Sequence, residues 1–260
     1  VIVEVGRKVK GFQTGQRVFY QGGRLDKTCG INPDGPNGHT EYSVAGTGTV
    51  IPLADPVDEK GAALGAMAAV GCVGVKLSQV KKDELVVVIG QGLIGQMAAQ
   101  AARRRGAFVI TSDIVPLRVA LSQKYSADLA VNGKEKDLRE IVAQKNTNLA
   151  DVAVDTTGRS DMYAYCLKLI RWEGRISLQG YYPEKIVVDF HDSHARRAIV
   201  NFPCGWDHPD LVECIGHLAD GSAQLAPLIT QVFRPAQCAE AFQFIQDKPQ
   251  ECLGVLFDWK

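Results

Sequence analysis

The pattern of hydrophobic positions changes near Asp58. Before that point, short β-branched or aromatic runs are separated by glycine-rich turns, which predicts strands joined by loops. The predicted strands cover residues 1–5, 17–20, 41–45 and 49–52. Residues 26–37 are rich in Gly, Pro, Asn and Asp and predict a surface loop. Beyond Asp58, the alanines and valines of residues 62–70 suit a buried helix.

From residue 85 onward, strand-like and helix-like runs alternate. Leu85–Ile89 is apolar at every position, as expected of a strand buried on both faces of a sheet. Further strands are predicted at residues 108–111, 129–131, 152–154, 176–178 and 198–201, and helices at 95–105, 117–125, 138–144 and 161–170. This alternation predicts an α/β fold with a doubly wound parallel sheet and right-handed crossovers. The tail predicts helices at 209–218 and 236–246, a short segment around Leu228 and a last strand at Gly254–Phe257.

The strongest motif follows the strand Leu85–Ile89. The run Gly-Gln-Gly-Leu-Ile-Gly starts at Gly90 and opens the next predicted helix. Gly90 would make the tight turn, Gly92 would let the backbone approach a pyrophosphate, and Gly95 would let the helix pack close to the strand. The free N–H groups of the helix N-terminus, at Leu93 and Ile94, would then bind the phosphates. The sequence therefore predicts a Rossmann-type dinucleotide site.

A carboxylate at the end of the second strand supports this prediction. Asp113 lies 18 residues past Gly95, where it can accept hydrogen bonds from both ribose hydroxyls of the adenosine half. It would also repel the 2′-phosphate of NADP, so we expect the cofactor NAD(H). Arg118 is the only cation nearby on the following helix and is included in the predicted site. The alternative is a strand–helix turn without a ligand and a surface aspartate, which the context of the motif disfavours.

Further motifs extend this interpretation to most of the chain. They are Gly15-Gln-Arg-Val18, Gly38-His-Thr-Glu-Tyr42, Asp155-Thr-Thr-Gly158, Gly174-Arg-Ile-Ser-Leu-Gln-Gly180 and Gly254-Val-Leu-Phe-Asp-Trp259. Their order and spacing resemble the medium-chain, zinc-type alcohol dehydrogenase-like dehydrogenases and reductases. Gln16 is a departure, because aspartate is usual there in the family.

The resemblance implies a Rossmann sheet joined to a GroES-like, mostly β catalytic domain, with the substrate in the cleft between them. The implied boundaries are residues 1–66 and 209–260 for the catalytic domain and 67–208 for the NAD-binding domain. The resemblance also places Thr157, Gly158, Gly180 and Tyr181 near the coenzyme, because they end parallel strands at the ligand-binding edge. For Thr157 and Tyr181, ordinary turn chemistry is an almost equal alternative.

The same resemblance leaves zinc open. Zinc-using members carry Cys and His-Glu ligands upstream of Val1, and the strand-like start without a methionine suggests a chain that begins inside a larger protein. The third ligand would fall near Ala66 or Ala69, and alanine cannot bind metal. The loop equivalent to a structural-zinc lobe contains Cys29 as its one cysteine. Leu253 also stands where many relatives have a cation that helps hold the pyrophosphate. We therefore assign no metal ligands in this chain and expect any zinc ligands mostly upstream.

The histidines offer no clear catalytic group. His191 and His194 are three residues apart, a spacing that could suit a metal, but a solvated loop is the favoured interpretation. His39 could reach the cleft, although a turn-edge imidazole is favoured. A Gly-x-Ser-x-Gly elbow is absent from the sequence, which argues against nucleophilic catalysis. We name no catalytic residue from the sequence.

Composition narrows the class of partner. The chain has 260 residues, with 29 basic and 29 acidic side chains, so a polyphosphate-binding surface for nucleic acid is not expected. Its seven scattered cysteines form no Cys-x-x-Cys pair, which is typical of a reducing compartment, and we expect a cytoplasmic protein without a membrane span. Dimers and tetramers are usual in the family, so a homodimer or homotetramer is expected.

The sequence thus predicts an NAD(H)-dependent oxidoreductase that interconverts an alcohol or polyol, as small-molecule substrate, and its carbonyl compound. One alternative is a zinc-free quinone or enoyl reductase using NADPH, against which Asp113 counts. The other is a non-catalytic nucleotide-binding protein, which Ala66 and Leu253 favour.

Overall fold

The computed structural model describes residues 1–20 and 41–260. In the first segment, β1 (Val18–Tyr20) pairs antiparallel with β2 (Val50–Pro52), which confirms two predicted strands. The strands predicted at residues 1–5 and 41–45 are wrong, because neither run is a strand. The predicted loop at residues 26–37 lies outside the described residues.

Both wrong predictions have a physical reason. Ile2 forms two backbone hydrogen bonds. The Ile2 N–H donates to the Gln16 carbonyl at 3.0 Å, and the Ile2 carbonyl accepts the Gly15 N–H at 2.8 Å. This one exchange is not extended into the ladder of bonds that defines a strand. Residues 41–45 are exposed at every position, so they have no buried face to pack on a core.

The predicted buried helix is two helices, α1 (Glu59–Ala63) and α2 (Gly65–Leu77). The Asp58 side chain caps α1 by accepting the backbone N–H groups of Lys60 and Gly61, which would otherwise lack partners at the helix start. α2 then runs under the central sheet, with Ala69 and Val75 fully buried.

The centre of the chain forms one six-stranded parallel sheet. Its strands are β3 (Leu85–Ile89), β4 (Phe108–Asp113), β5 (Leu129–Asn132), β6 (Ala150–Asp155), β7 (Ile170–Leu178) and β8 (Ile199–Asn201). The helices between them are α3 (Leu93–Arg104), α4 (Pro116–Tyr125), α5 (Leu138–Lys145), α6 (Met162–Leu169) and α7 (Phe190–Arg196). The predicted doubly wound parallel sheet is confirmed.

Strand order fixes where a ligand can lie. The sheet runs β5-β4-β3-β6-β7-β8, so the chain winds outward from β3 in one direction and then returns to β6 on its other side. In such sheets the reversal leaves a crevice beyond the carboxyl ends of the two central strands. The turns that follow β3 and β6 therefore line the candidate site.

Two elements near the end of the sheet differ from the prediction. β7 begins at Ile170 rather than at residue 176, because residues 171–174 form a bulge that shifts its register with β6. Glu173 has φ +56° within this bulge. The predicted loop around His191 and His194 is wrong, since both lie in α7, whose start is capped by the Asp189 side chain.

The tail packs back on the first segment. It consists of α8 (His208–Ala219), β9 (Ile229–Phe233), α9 (Cys238–Asp247) and β10 (Gly254–Phe257), with β9 and β10 parallel. Phe19 and Ile51 share one hydrophobic core with α2 and with Leu211, Ile215 and Leu228 of the tail. The two ends of the chain thus depend on each other for burial, while two other clusters fill the faces of the sheet.

Candidate functional site

The turn between β3 and α3 contains the three predicted glycines in different environments. Gly90 has φ +84°, and a Cβ there would lie 2.8 Å from Oγ1 of Thr156. A Cβ at Gly95 would overlap the carbonyl oxygen of Gly90. At Gly92, by contrast, a Cβ would meet no described atom within 4 Å. Gly90 and Gly95 are therefore needed for the turn itself, whereas Gly92 borders open space.

The start of α3 faces that space with backbone N–H groups that have no acceptor within the helix. Gly92 is the N-cap residue and offers no side chain to the first turn, which also contains no acidic residue. The first N–H groups of a helix, here at Leu93 and Ile94, have no acceptor four residues earlier within it. Together with the positive end of the helix dipole, they suit an anion such as a pyrophosphate. The open space at Gly92 fits that group.

Asp113 lies directly beside this turn, at the end of β4. Its Oδ2 accepts the backbone N–H of Gln91 at 2.6 Å, and its Oδ1 accepts the N–H of Val115 at 2.8 Å. The residue is 8% exposed. Each carboxylate oxygen keeps a further lone pair, so a ligand hydroxyl can still be accepted.

Arg118 is also part of this cluster. Its Nη1 lies 4.0 Å from Oδ2 of Asp113, and its Nη2 donates to the Pro249 carbonyl at 3.2 Å. Its Nε is buried without a hydrogen-bond partner among the described residues. The guanidinium therefore bridges the Asp113 carboxylate and the turn that precedes β10.

A buried polar network beneath the turn was not predicted from the sequence. The Gln91 side chain is fully buried, and its amide donates to the Gly90 carbonyl at 2.8 Å. Its Oε1 accepts the Ser122 hydroxyl at 2.9 Å, and Ser122 in turn lies 2.7 Å from the Thr111 hydroxyl. The glycine motif leaves this position unspecified, and no periodicity indicates that its side chain points inward.

The loops after β6 and β7 complete the edge. Thr157 donates its hydroxyl to Oδ1 of Asp155 at 2.8 Å. Gly158 has φ +73°, and a Cβ there would lie 2.5 Å from the Tyr181 carbonyl oxygen. A Cβ on Gly180 would likewise lie 2.5 Å from the Gly158 nitrogen. The two loops thus touch backbone to backbone, and the Tyr181 side chain is 90% exposed beside them.

A hydrogen bond joins this edge to the glycine turn. Oγ1 of Thr156 donates to the carbonyl oxygens of Ile89, at 3.1 Å, and Gly90, at 2.9 Å. The predicted residues on the β3, β4, β6 and β7 loops therefore lie along one edge of the sheet.

Asp155 and Tyr182 form a second feature that sequence reasoning missed. Asp155 is fully buried, and the Tyr182 hydroxyl donates to its Oδ2. Burial raises the pKa of the Asp155 carboxyl, although the hydrogen bonds from Tyr182 and Thr157 lower it. Burial and the bond to Asp155 raise the pKa of the Tyr182 phenol. The pair braces the loops after β6 and β7 from below.

The positions at which metal ligands were considered do not come together in the described part of the chain. Among residues 1–20 and 41–260, no group of three or more His, Cys, Asp and Glu side chains could hold a metal ion. Ala66 and Ala69 lie on α2, and Ala69 is fully buried. Cys29 and His39 lie outside the described residues. Within the two described ranges, the side chains therefore form no zinc site by themselves.

Comparisons with known proteins identify the family. A family model described as zinc-binding dehydrogenase matches residues 94–207. An alcohol dehydrogenase of Rhizobium meliloti is 33% identical over 198 residues, which cover 72% of this chain and 58% of that protein. An L-threonine 3-dehydrogenase of Vibrio cholerae is 24% identical over 276 residues, covering 100% of this chain and 80% of that protein.

Solved structures share the fold. A putative zinc-binding dehydrogenase from Sinorhizobium meliloti bound to NADP has a TM-score of 0.85 at 20% identity, covering 99% of this chain and 81% of that one. A short chain alcohol dehydrogenase from Escherichia coli complexed with NADH has a TM-score of 0.83 at 20% identity, covering 98% of this chain and 80% of that one.

These findings define a dehydrogenase-type fold with a dinucleotide turn at the sheet edge. The chain belongs to the medium-chain, zinc-type alcohol dehydrogenase-like dehydrogenase/reductase superfamily. Membership supports a nicotinamide cofactor for the site. The predicted combination of a Rossmann sheet with a GroES-like domain is confirmed as the fold class. Within the described ranges, no helix is long and apolar enough to cross a membrane.

Proposed function

We propose that this chain acts as an NAD(H)-dependent oxidoreductase that interconverts an alcohol or polyol and its carbonyl compound. The observation that carries the proposal is the pairing of two features at one turn: open space over Gly92 and the Asp113 carboxylate bound to the neighbouring N–H of Gln91. The first suits a pyrophosphate and the second suits an adenosine ribose.

In this proposal the chain holds the coenzyme at two places, the start of α3 beside Gly92 and the Asp113 carboxylate. The N–H groups of Leu93 and Ile94 bind phosphate oxygens, and Gly95 keeps α3 close enough to β3 to aim them. Asp113 accepts the ribose hydroxyls, while Arg118 steadies the carboxylate from 4.0 Å. The loops carrying Thr157, Gly158, Gly180 and Tyr181 flank the nicotinamide half, because they end the strands beyond the crevice.

The coenzyme, when bound, supplies hydride transfer. The chain's part is to bind and orient it and to hold a small-molecule substrate against it. Relatives named alcohol dehydrogenase and L-threonine 3-dehydrogenase, and a structure of a 2R,3R-butanediol dehydrogenase from Bacillus subtilis, support a hydroxyl-bearing substrate. The chain spans 58% of the length of the first of these relatives, so activity and substrate remain proposals.

We further propose NAD(H) over NADP(H). A carboxylate that is 8% exposed and fixed by two backbone donors cannot turn away from a 2′-phosphate, so it opposes that phosphate by charge. Arg118 does not offset this, because it already faces Asp113 and the Pro249 carbonyl. The solved relatives include both an NADP-bound and an NADH-bound protein, so this preference rests on the residues of this chain.

Domain organisation and assembly belong to the same proposal. Residues 1–66 and 209–260 would form the catalytic domain and residues 67–208 the coenzyme domain. The core that Phe19 and Ile51 share with Leu211 and Leu228 supports the association of the two chain ends, and it continues into α2. A homodimer or homotetramer would form at the sheet edge beside β8, where Ile199 is 59% exposed. Phe202, Phe190 and Val187 add exposed apolar surface there.

The experiment measures coenzyme binding first and turnover second. Titration of the chain with NADH and NADPH, followed by fluorescence quenching, should give tighter binding of NADH. Oxidation of NADH should then be followed with aldehydes, ketones and quinones as separate panels. Turnover with the carbonyl panel supports the proposal, turnover with quinones alone supports the quinone reductase alternative, and binding without turnover supports a nucleotide-binding protein.

A further inference from the structure

Two cysteines meet away from the coenzyme turn, between α2 and α8. The Cys214 thiol donates to Sγ of Cys72 across 3.4 Å. One helical turn further along α2 and one turn back along α8, Lys76 Nζ lies 2.7 Å from Oδ1 of Asp210. The helices therefore run antiparallel here, and the ion pair holds the two sulfur atoms in register.

An arginine from a third helix completes the cluster. Nη2 of Arg104, at the end of α3, donates to Sγ of Cys72 at 3.3 Å. The hydrogen bond from Cys214 and the charge of Arg104 lower the pKa of the Cys72 thiol, against the effects of burial and of Glu213. The pKa of the Cys214 thiol is raised, because that thiol donates to Cys72 and is buried. Arg104 contacts Cys72, so its positive charge favours a thiolate at Cys72 over one at Cys214.

The pair differs in access as well as in charge. Cys72 is half-buried, whereas Cys214 is 3% exposed. Both border a small cleft whose other walls include Gln100, Arg104 and Ala223. The cleft has room for about one water-sized molecule, and Cys72 is the more exposed of its two cysteines.

We propose that Cys72 and Cys214 form a dithiol site that reacts with hydroperoxides and closes to a disulfide between α2 and α8. In the first step, written for hydrogen peroxide, the Cys72 thiolate attacks one peroxide oxygen, the O–O bond breaks, and the departing hydroxide takes up a proton from solvent. Cys72 is then a sulfenic acid and the peroxide has been reduced to water. In the second step, the Cys214 sulfur attacks the Cys72 sulfur, and its proton leaves with the sulfenic oxygen as a second water.

The second step requires only a small movement. A disulfide has an S–S length of about 2.05 Å, so the sulfur atoms must approach from their separation of 3.4 Å. The pair bridges helices on either side of the domain boundary proposed at residue 208. The disulfide would therefore tie the coenzyme domain to the tail.

The other described cysteines provide internal comparisons. Cys166 is fully buried, and burial raises the pKa of its thiol, so it should react slowly. Cys204 and Cys238 are exposed and report what an accessible thiol does without this cluster. The proposal requires Cys72 to react faster than both.

The test uses the reduced 260-residue chain and hydrogen peroxide as the probe. After a timed exposure, free thiols are blocked with N-ethylmaleimide, and the chain is cut with trypsin and with a protease specific for glutamate. Cleavage after Glu213 separates Cys214 from Cys204. Peptide 61–76 should be recovered joined to peptide 214–240, and the free thiols should fall from seven to five. Peptide 214–240 also contains Cys238, so fragmentation of the linked pair must place the bond on Cys214 and N-ethylmaleimide on Cys238.

Three variants sharpen the result. In C214S, dimedone should trap a sulfenic acid on Cys72, since the resolving thiol is gone. In R104M, the disulfide should form several-fold more slowly, because the Cys72 thiolate loses its cation. C204S is the matched control and should leave the linkage and its rate unchanged. Circular dichroism verifies the folding of each variant. Peptide mapping of the unmodified chain tests the proposal even where a variant fails to fold.

Recovery of peptide 61–76 with a blocked, unoxidised Cys72 after Cys204 and Cys238 have reacted would overturn the proposal. Linkage of Cys72 to any other cysteine, or direct formation of sulfinic acid without a disulfide, would do the same. An unchanged rate in R104M would remove Arg104 from the site.

Discussion

Oδ2 of Asp113 accepts the backbone N–H of Gln91 across 2.6 Å, so the carboxylate at the end of β4 is anchored to the middle of the glycine turn after β3. Coenzyme discrimination and turn geometry therefore depend on one side chain. Replacing Asp113 by glycine would disturb both at once. Asparagine removes the charge and keeps one of the two acceptors, but its amide nitrogen would face the other backbone N–H, so thermal unfolding has to be measured beside coenzyme binding.

We expect Asp113→Asn to weaken NADH binding about 10- to 100-fold, because hydrogen bonds to a charged group contribute roughly 1.5–3 kcal/mol. NADPH binding should weaken less or improve, since the charge opposing the 2′-phosphate is gone. Fluorescence titration with both coenzymes measures the ratio. Asp128→Asn is the matched control, because Asp128 also accepts a backbone N–H, that of Val109, but at the opposite end of the sheet. Equal or tighter binding of NADPH by the unmodified chain would show that the assignment of NAD(H) is wrong.

Gly92→Val should abolish detectable coenzyme binding and leave the chain folded. Gly92 has φ −64°, and a Cβ at this position would have no described atom within 4 Å, so valine fits the turn but fills the space that the pyrophosphate needs. Isothermal calorimetry with NADH measures the loss, and thermal unfolding measures the fold. Gly216→Val, at another glycine with open space, should bind normally. Normal NADH binding by the Gly92 variant would show that the glycine motif is only a structural turn and does not bind the coenzyme.

Gly95→Ala should lower the stability of the fold, whereas Gly92→Val should affect only coenzyme binding. Its new methyl group would overlap the Gly90 carbonyl, so α3 must move away from β3. Overpacking of this kind costs roughly 1–3 kcal/mol of unfolding free energy. Urea unfolding measures that loss, with Gly92→Ala as the control that meets open space. Equal stability of the two variants would contradict the close helix–strand contact.

Asp155→Asn should alter how stability depends on pH. Burial raises the pKa of the native carboxyl, so ionisation of Asp155 disfavours the folded state as the pH rises from the ordinary aspartate range through that raised pKa. Below the ordinary aspartate range both states are protonated and the effect is absent. The variant should therefore gain stability relative to the unmodified chain at pH 7.5 and lose that gain near pH 3.5, as measured by unfolding midpoints.

Asp161 provides a control of opposite sign. Its hydrogen bond with Arg159 lowers the pKa of the Asp161 carboxyl, so its ionised form favours the folded state. Asp161→Asn should lose a little stability at pH 7.5 and none well below the lowered pKa. The same pH dependence in both variants would mean that burial of Asp155 does not determine the effect.

Zinc content is the fifth prediction. The purified chain should contain well under one tightly held zinc after dialysis, because Ala66 and Ala69 supply no ligand and structural sites need about four. Elemental analysis measures it, and His191→Ala with His194→Ala tests the close histidine pair on α7. About one zinc per chain that is lost on mutating Cys29 or His39 would contradict the assignment.

The sequence was sufficient for the sheet because its signals are local. Leu85–Ile89 was predicted with its observed bounds, since a strand buried on both faces is apolar throughout. Residues 1–5 have a similar composition but no ladder, and a partner strand cannot be inferred from composition. β7 was predicted too short because its first half is a bulge in which apolar, charged and glycine residues do not alternate regularly.

The candidate site divides in the same way. The glycines and Asp113 follow a spacing that geometry imposes, so they could be found without coordinates. Gln91, Tyr182 and the Cys72–Cys214 pair depend on which way a side chain points or on contacts far apart in the chain. The sulfur contact joins residues 142 apart, and no one-dimensional pattern encodes it.

The core shared by Phe19, Ile51, Leu211 and Leu228 also sets an order of events on the ribosome. Ile51 is made 160 residues before Leu211, and Phe19 is made 192 residues before it. At about 5–20 residues per second, these side chains are without their tail partners for roughly 8–38 s. During synthesis this segment is therefore a natural client for a holding chaperone. Nascent chains that stop before Leu211 should be cut there by a protease, and chains that extend past Leu228 should resist.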